Sequence, residues 1–156
     1  MELAPSFASG MTTASFRDIV AGLAIVLVAS GLIEVRAEQT KTAKDGVYTD
    51  GQAKRGEGLY GRECASCHAP DLSGSGAPAL AGSDFFGNWD KMSVADLVEK
   101  IATSMPLSAA GSISREQATD LVAFILKSNS FPAGSADLDS DAATLKTINI
   151  VRQALP

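Results

Sequence analysis

Cys64, Cys67 and His68 are the only cysteines and the only histidine of a 156-residue chain, and they fall within five consecutive positions, C-A-S-C-H. All sulfhydryl and imidazole chemistry is therefore confined to one short stretch. Two thiols three residues apart at the end of a helix can each add to one of the two vinyl groups of a haem, forming thioethers. The imidazole that follows then comes under the iron as a ready ligand. Three other chemistries use the same residue types. A redox dithiol sits after a strand in a βαβ unit, but the residues before Cys64 read as helix and no βαβ pattern is present. A structural zinc site wants four cysteine or histidine ligands, and this chain offers three, crowded together. A short-range disulfide beside a bystander histidine is the plainest alternative.

The surrounding segments must hold that stretch in place. A short helix is expected from about Gln52 to Glu63, with Gly56 and Tyr60 four apart on one face and Gly56 open to close approach by another helix. Residues 69–90 hold four glycines and two prolines among scattered apolar residues, the composition of a long loop wrapping something. In SVADLVEKIATSMP, Val94, Leu97, Val98 and Ile101 recur at helical spacing, Ser93 can cap, and Pro106 ends the pattern. The strongest helix is SREQATDLVAFILKSN: Ser114 and Gln117 suit a capping box, and Ala118, Leu121, Val122 and Ile125 form one apolar stripe. A last short helix is expected from Asp141, with Leu145 and Ile148 facing inward.

Composition sets the outer limits. Hydrophobic residues at 46% and charged residues at 20% describe a globular chain of single-domain length. A formal charge of -5 argues against nucleic acid as a partner, because such surfaces cluster Lys and Arg against phosphates. The run from Ile19 to Ile33 is 15 residues without a charge, preceded by Arg17 and followed by the small-residue site ending at Ala37. That is the layout of a secretory signal peptide over residues 1–37; an uncleaved anchor is the alternative, although 15 residues fall short of the ~20 that span a bilayer as a helix. The remaining chain keeps an acidic balance, 15 acidic against 11 basic side chains. It divides into a flexible N-terminal segment (38–51), a helical domain (52–130) and a C-terminal extension (131–156).

Over residues 52–130 the chain resembles a class I c-type cytochrome. The resemblance rests on C-A-S-C-H, on Gly56 and Tyr60 before it, on Leu121 and Phe124 in the last long helix, on A-P-A-L at 77–80 and on S-M-P at 104–106. It implies an all-α cytochrome c fold, three to five helices and long loops wrapped around one covalent haem c. Cys64 and Cys67 would attach the haem and His68 would bind iron; Pro78 would accept a hydrogen bond from His68, fixing the ring and raising its basicity. Leu80 would pack on the haem, and Met105 would supply the sixth ligand. Trp89 stands near the place where relatives donate to a haem propionate, and a core aromatic beside Phe85 and Phe86 is the alternative for it. Met105 has ordinary core packing as its own alternative. Ala69 occupies a position where many bacterial relatives carry glycine.

The resemblance further implies an electron carrier rather than an enzyme. The partners would be redox proteins, a dehydrogenase as donor and an oxidase or another cytochrome as acceptor, met as a monomer in the periplasm. The segment FPAGSADL resembles, more weakly, single-haem cytochromes that serve periplasmic dehydrogenases. Membrane contact is expected only if the leader is retained, giving a membrane-anchored form facing the periplasm. Two other functions use the same residues: a haem-based ligand sensor or small catalytic haem protein with an open sixth site, and a haem-free thiol oxidoreductase.

Overall fold

A computed structural model describes residues 40–152. The leader expected over residues 1–37 and the anchor that is its alternative lie outside the described residues. Six helices follow in order: α1 (Asp50–Glu63), α2 (Ala65–His68), α3 (Gly82–Trp89), α4 (Val94–Ser104), α5 (Arg115–Ser128) and α6 (Ala142–Lys146). Two strands of two residues, β1 (Lys41–Thr42) and β2 (Ile148–Asn149), pair in parallel. Among the described residues this is an all-α fold of the cytochrome c type.

The frame is the crossing of α1 and α5, the most extensive helix packing among the described residues. Gly56 makes it close: a Cβ there would run into the carbonyl of Asp120 and come within 3.0 Å of Phe124 Cβ. Any side chain would push the helices apart. Tyr60, one turn on, lays its ring 5.2 Å from that of Phe124. Buried Leu121, Val122, Ile125 and Leu126 of α5 carry the rest of the contact into the core. Both long helices start on a side-chain cap, α1 two residues earlier than expected with Thr49 accepting from Gln52 N (3.0 Å) and α5 on the expected Ser114–Gln117 box. α4 begins on a Ser93–Asp96 box and closes on Met105, whose N–H donates to Ile101 O at 3.1 Å before Pro106.

Two expectations are corrected. The long loop expected over 69–90 is a loop only to Ala81; from Gly82 the chain is helical. Gly82 and Gly87 weaken its helix propensity, and Ala81 at the N-cap has no side chain to offer. Packing compensates: Phe85 is fully buried, its ring 5.4 Å from Phe86, which lies 6.0 Å from Phe131. The cap arrives from a distance, since Asn129 Oδ1 accepts from Gly82 N at 3.0 Å.

The second correction concerns residues 38–51, expected as flexible. From Lys41 onward the segment is fastened to the C-terminal extension. Ala43 and Tyr48 are buried, the Tyr48 hydroxyl donates to Phe131 O at 2.6 Å, and Gly134 N donates to Tyr48 O at 2.6 Å. Gln52 exchanges two bonds with the Leu138 backbone, 3.0 and 2.6 Å. Leu145, Ile148 and Ile150 of the extension enter the same core, Leu145 and Ile148 as expected. The extension ends against the α3–α4 connection, where Lys91 N donates to Ile150 O (2.7 Å) and Ile150 N to Met92 O (2.8 Å).

Candidate functional site

Cys64 joins two helices. It closes α1 by donating its N–H to Tyr60 O at 2.9 Å, and its own carbonyl accepts from Cys67 N (3.1 Å) and His68 N (3.0 Å), winding α2. Both thiols are free, Cys64 half-buried against the core and Cys67 exposed. The loop after them folds straight back. Cys67 O accepts from Ser75, Gly76 and Ala77 N at 3.3, 3.0 and 3.1 Å, and His68 O accepts from Gly74 N at 3.0 Å. Gly74 alone fits here: its φ is +81°, and a Cβ would lie 2.7 Å from Ala77 O.

That fold-back brings Pro78 O to 2.7 Å from His68 Nδ1. A carbonyl can only accept, so Nδ1 carries the proton and Nε2 is the nitrogen left to bind a ligand. Among the described residues no protein group partners Nε2. The imidazole is thus held at one nitrogen and presents the other as a ligand.

The thiol environment bears on the competing chemistries. Burial, with Glu63 and Cys67 adding to it, pushes the Cys64 thiol up to about 11. A redox dithiol needs the opposite, a depressed first thiol that is thiolate near neutrality. The described strands form only the short β1–β2 pair, so there is no βαβ unit around Cys64. No three of His, Cys, Asp and Glu gather as a metal cage among the described residues. Tyr60 is pushed up to about 12, by burial first and by Cys64 and Asp71 after it. It remains a phenol and donates to Ala69 O at 2.6 Å.

The structure thus brings Cys64, Cys67, His68 and Pro78 together directly. Leu80 follows, half-buried, with its N–H donating to Leu72 O at 2.9 Å. Met105 stands on a separate element, half-buried as the C-cap of α4. Trp89 ends α3, partly buried against the core, and its indole N–H has no protein partner among the described residues. Sequence reasoning missed Asn129, whose amide reaches Leu80 O and Gly82 N. Its only local signal is its place at the end of α5, which reads as an ordinary cap.

Two free thiols on one turn and an imidazole with a pinned Nδ1 and an open Nε2 fit a covalently attached haem. The class is that of the class I c-type cytochromes, with haem c and its iron as cofactor. Residues 51–125 match the family model for subunit III of cbb3-type cytochrome c oxidase, and over that segment the chain is similar to the c-type cytochromes. No curated protein sequence matches it. Among solved structures it is similar to a chain of the sulfane dehydrogenase SoxCD from Paracoccus pantotrophus, at 20% identity and a TM-score of 0.45. That likeness covers 82% of this chain and 61% of the other.

Proposed function

We propose that the protein is a single-haem electron carrier between a periplasmic donor, a dehydrogenase, and a respiratory acceptor, an oxidase or another cytochrome. The observation that carries the reading is the 2.7 Å contact of His68 Nδ1 with Pro78 O, because it leaves Nε2 as the nitrogen available to a ligand. Bound haem c supplies a one-electron couple between ferrous and ferric iron. Cys64 and Cys67 hold it by thioether bonds, and His68 Nε2 binds from one side. Met105 donates its sulfur as the sixth ligand; α4 ends at its N–H, which leaves the side chain at the start of an irregular segment. A thioether favours the reduced metal, and Leu80 packed on the haem would keep water away, which acts in the same direction. The Trp89 indole N–H, without a protein partner among the described residues, would be a donor for a propionate.

With His68 and Met105 both holding the iron, small molecules would be kept from the metal and no substrate bond would be made. Partners meet a monomer through small redox interfaces. Export by the pattern in residues 1–37 supports the periplasm, either free or anchored if the leader stays.

The test is the visible and near-infrared spectrum of the purified protein, oxidised and reduced, then exposed to carbon monoxide, beside Met105→Ala. A covalent c-type spectrum, no carbon monoxide response in the wild type and a prompt response in the variant support the carrier. A prompt wild-type response would instead assign an open sixth site, as in a ligand sensor or a small catalytic haem protein. A colourless protein after co-expression with haem-attachment machinery would leave only the thiol oxidoreductase.

A further inference from the structure

The loop that carries the His68 acceptor has few apolar anchors of its own, and its two ends are fastened by single side chains of the crossing helices. At one end the Tyr60 hydroxyl of α1 donates to Ala69 O at 2.6 Å. At the other stands Asn129, the cap of α5, only 7% exposed. Its Nδ2 donates to Leu80 O and to Ile125 O, each at 2.9 Å, and its Oδ1 accepts from Gly82 N at 3.0 Å. One side chain therefore joins the end of α5, the backbone two residues past Pro78 and the uncapped start of α3. A buried amide with all of these bonds made is a rigid joint, since any displacement leaves polar groups unpaired without water.

We propose that Asn129 is a positioning residue for the iron ligand. By clamping Leu80 and Gly82 it fixes where the Pro78 carbonyl stands against His68 Nδ1, and so sets the electron density of the ring. This rests on the proposed function, in which His68 Nε2 binds the haem iron. A short N–H···O bond pushes charge onto the imidazole, makes Nε2 a stronger donor and favours the ferric state. Loosening the clamp weakens that bond and moves the midpoint potential upward.

The experiment compares holoprotein of wild type, Asn129→Leu and Gln52→Leu. Gln52 is an equally buried amide with two bonds to the Leu138 backbone, and it touches the C-terminal extension rather than the loop. Readouts are thermal stability, midpoint potential, and NMR exchange rates of the Gly82 amide and the His68 Nδ1 proton. Both variants should melt earlier. Asn129→Leu alone should raise the potential and speed exchange of both protons, while Gln52→Leu leaves all three at wild-type values. An unchanged potential in Asn129→Leu, or an equal shift in both variants, would overturn the proposal and leave Asn129 a stability residue. Should Asn129→Leu fail to fold, Asn129→Ser is read by the same criteria. A wild type lacking a covalent haem spectrum would overturn the functional reading and this inference together; a normal wild type with an indifferent Asn129 variant overturns the inference alone.

Discussion

The α1–α5 crossing and the 69–81 loop flank the same C-A-S-C-H turn, yet they are ordered by different means. The crossing is held by apolar side chains packed around a glycine that lets two backbones touch. The loop is held by backbone hydrogen bonds, with Tyr60 and Asn129 fastening its ends to the crossing. The first kind of order is non-directional and cooperative with the whole core. The second is directional and local, which suits the precise placement of one carbonyl against one imidazole. Rigidity at the site is thus borrowed from the crossing through two side chains.

The comparison breaks most completely at Gly56. Gly56→Val forces a side chain into the Asp120 backbone, and overpacking with no flexible neighbour to yield should cost about 3 kcal/mol or more. Urea denaturation should show global loss, with the loop failing only because the crossing fails. Removing the link rather than the crossing is milder. Tyr60→Phe keeps the ring against Phe124 but leaves Ala69 O without its donor, a loss of about 1–2 kcal/mol, and the Leu72 and Gly74 amides should exchange faster than those of α5.

Ala69→Gly sharpens the contrast in the other direction. Ala69 has φ 63° and ψ 153°, a region that glycine alone adopts without strain. Relief of that strain outweighs the added freedom of the unfolded chain, so a gain of about 1 kcal/mol is expected with the spectrum unchanged. The smallest effect lies on the surface. The Asp137 carboxyl is held low by the Thr49 hydroxyl and Arg55. Its folded pKa is depressed below the ordinary 3.8, so its contribution is present above that value and lost as pH falls through the lower folded one. Asp137→Asn should therefore melt slightly earlier at neutral pH, and the difference should vanish in strong acid.

The same contrast explains what could be read in advance. α4 and α5 were legible because period, cap and stop all lie within the helix itself, from Ser93 to Pro106 and from Ser114 to Asn129. Gly56 was legible because helical spacing ties it to Tyr60. α3 was not, because its cap comes from Asn129, 47 residues away. The order of the segment before α1 is hidden for a similar reason: the Tyr48 hydroxyl donates to Phe131 O, 83 residues on, and nothing local to EQTKTAKDGVYTDG reports that. At the site, the thiols and imidazole announce themselves by type and spacing, and Pro78 follows from the resemblance. The clamp on the loop is invisible in sequence, since an asparagine after a helix means a cap almost anywhere.

Under the proposed function His68 and Met105 would together hold the haem iron. This is tested most directly by proton NMR of the reduced, diamagnetic protein. A methionine methyl lying against the haem face is shifted far upfield by the ring current, so the account predicts one such three-proton singlet, lost in Met105→Ala and retained in Met92→Ala. A wild type without that singlet, or a singlet lost on substituting Met92 instead, would contradict it.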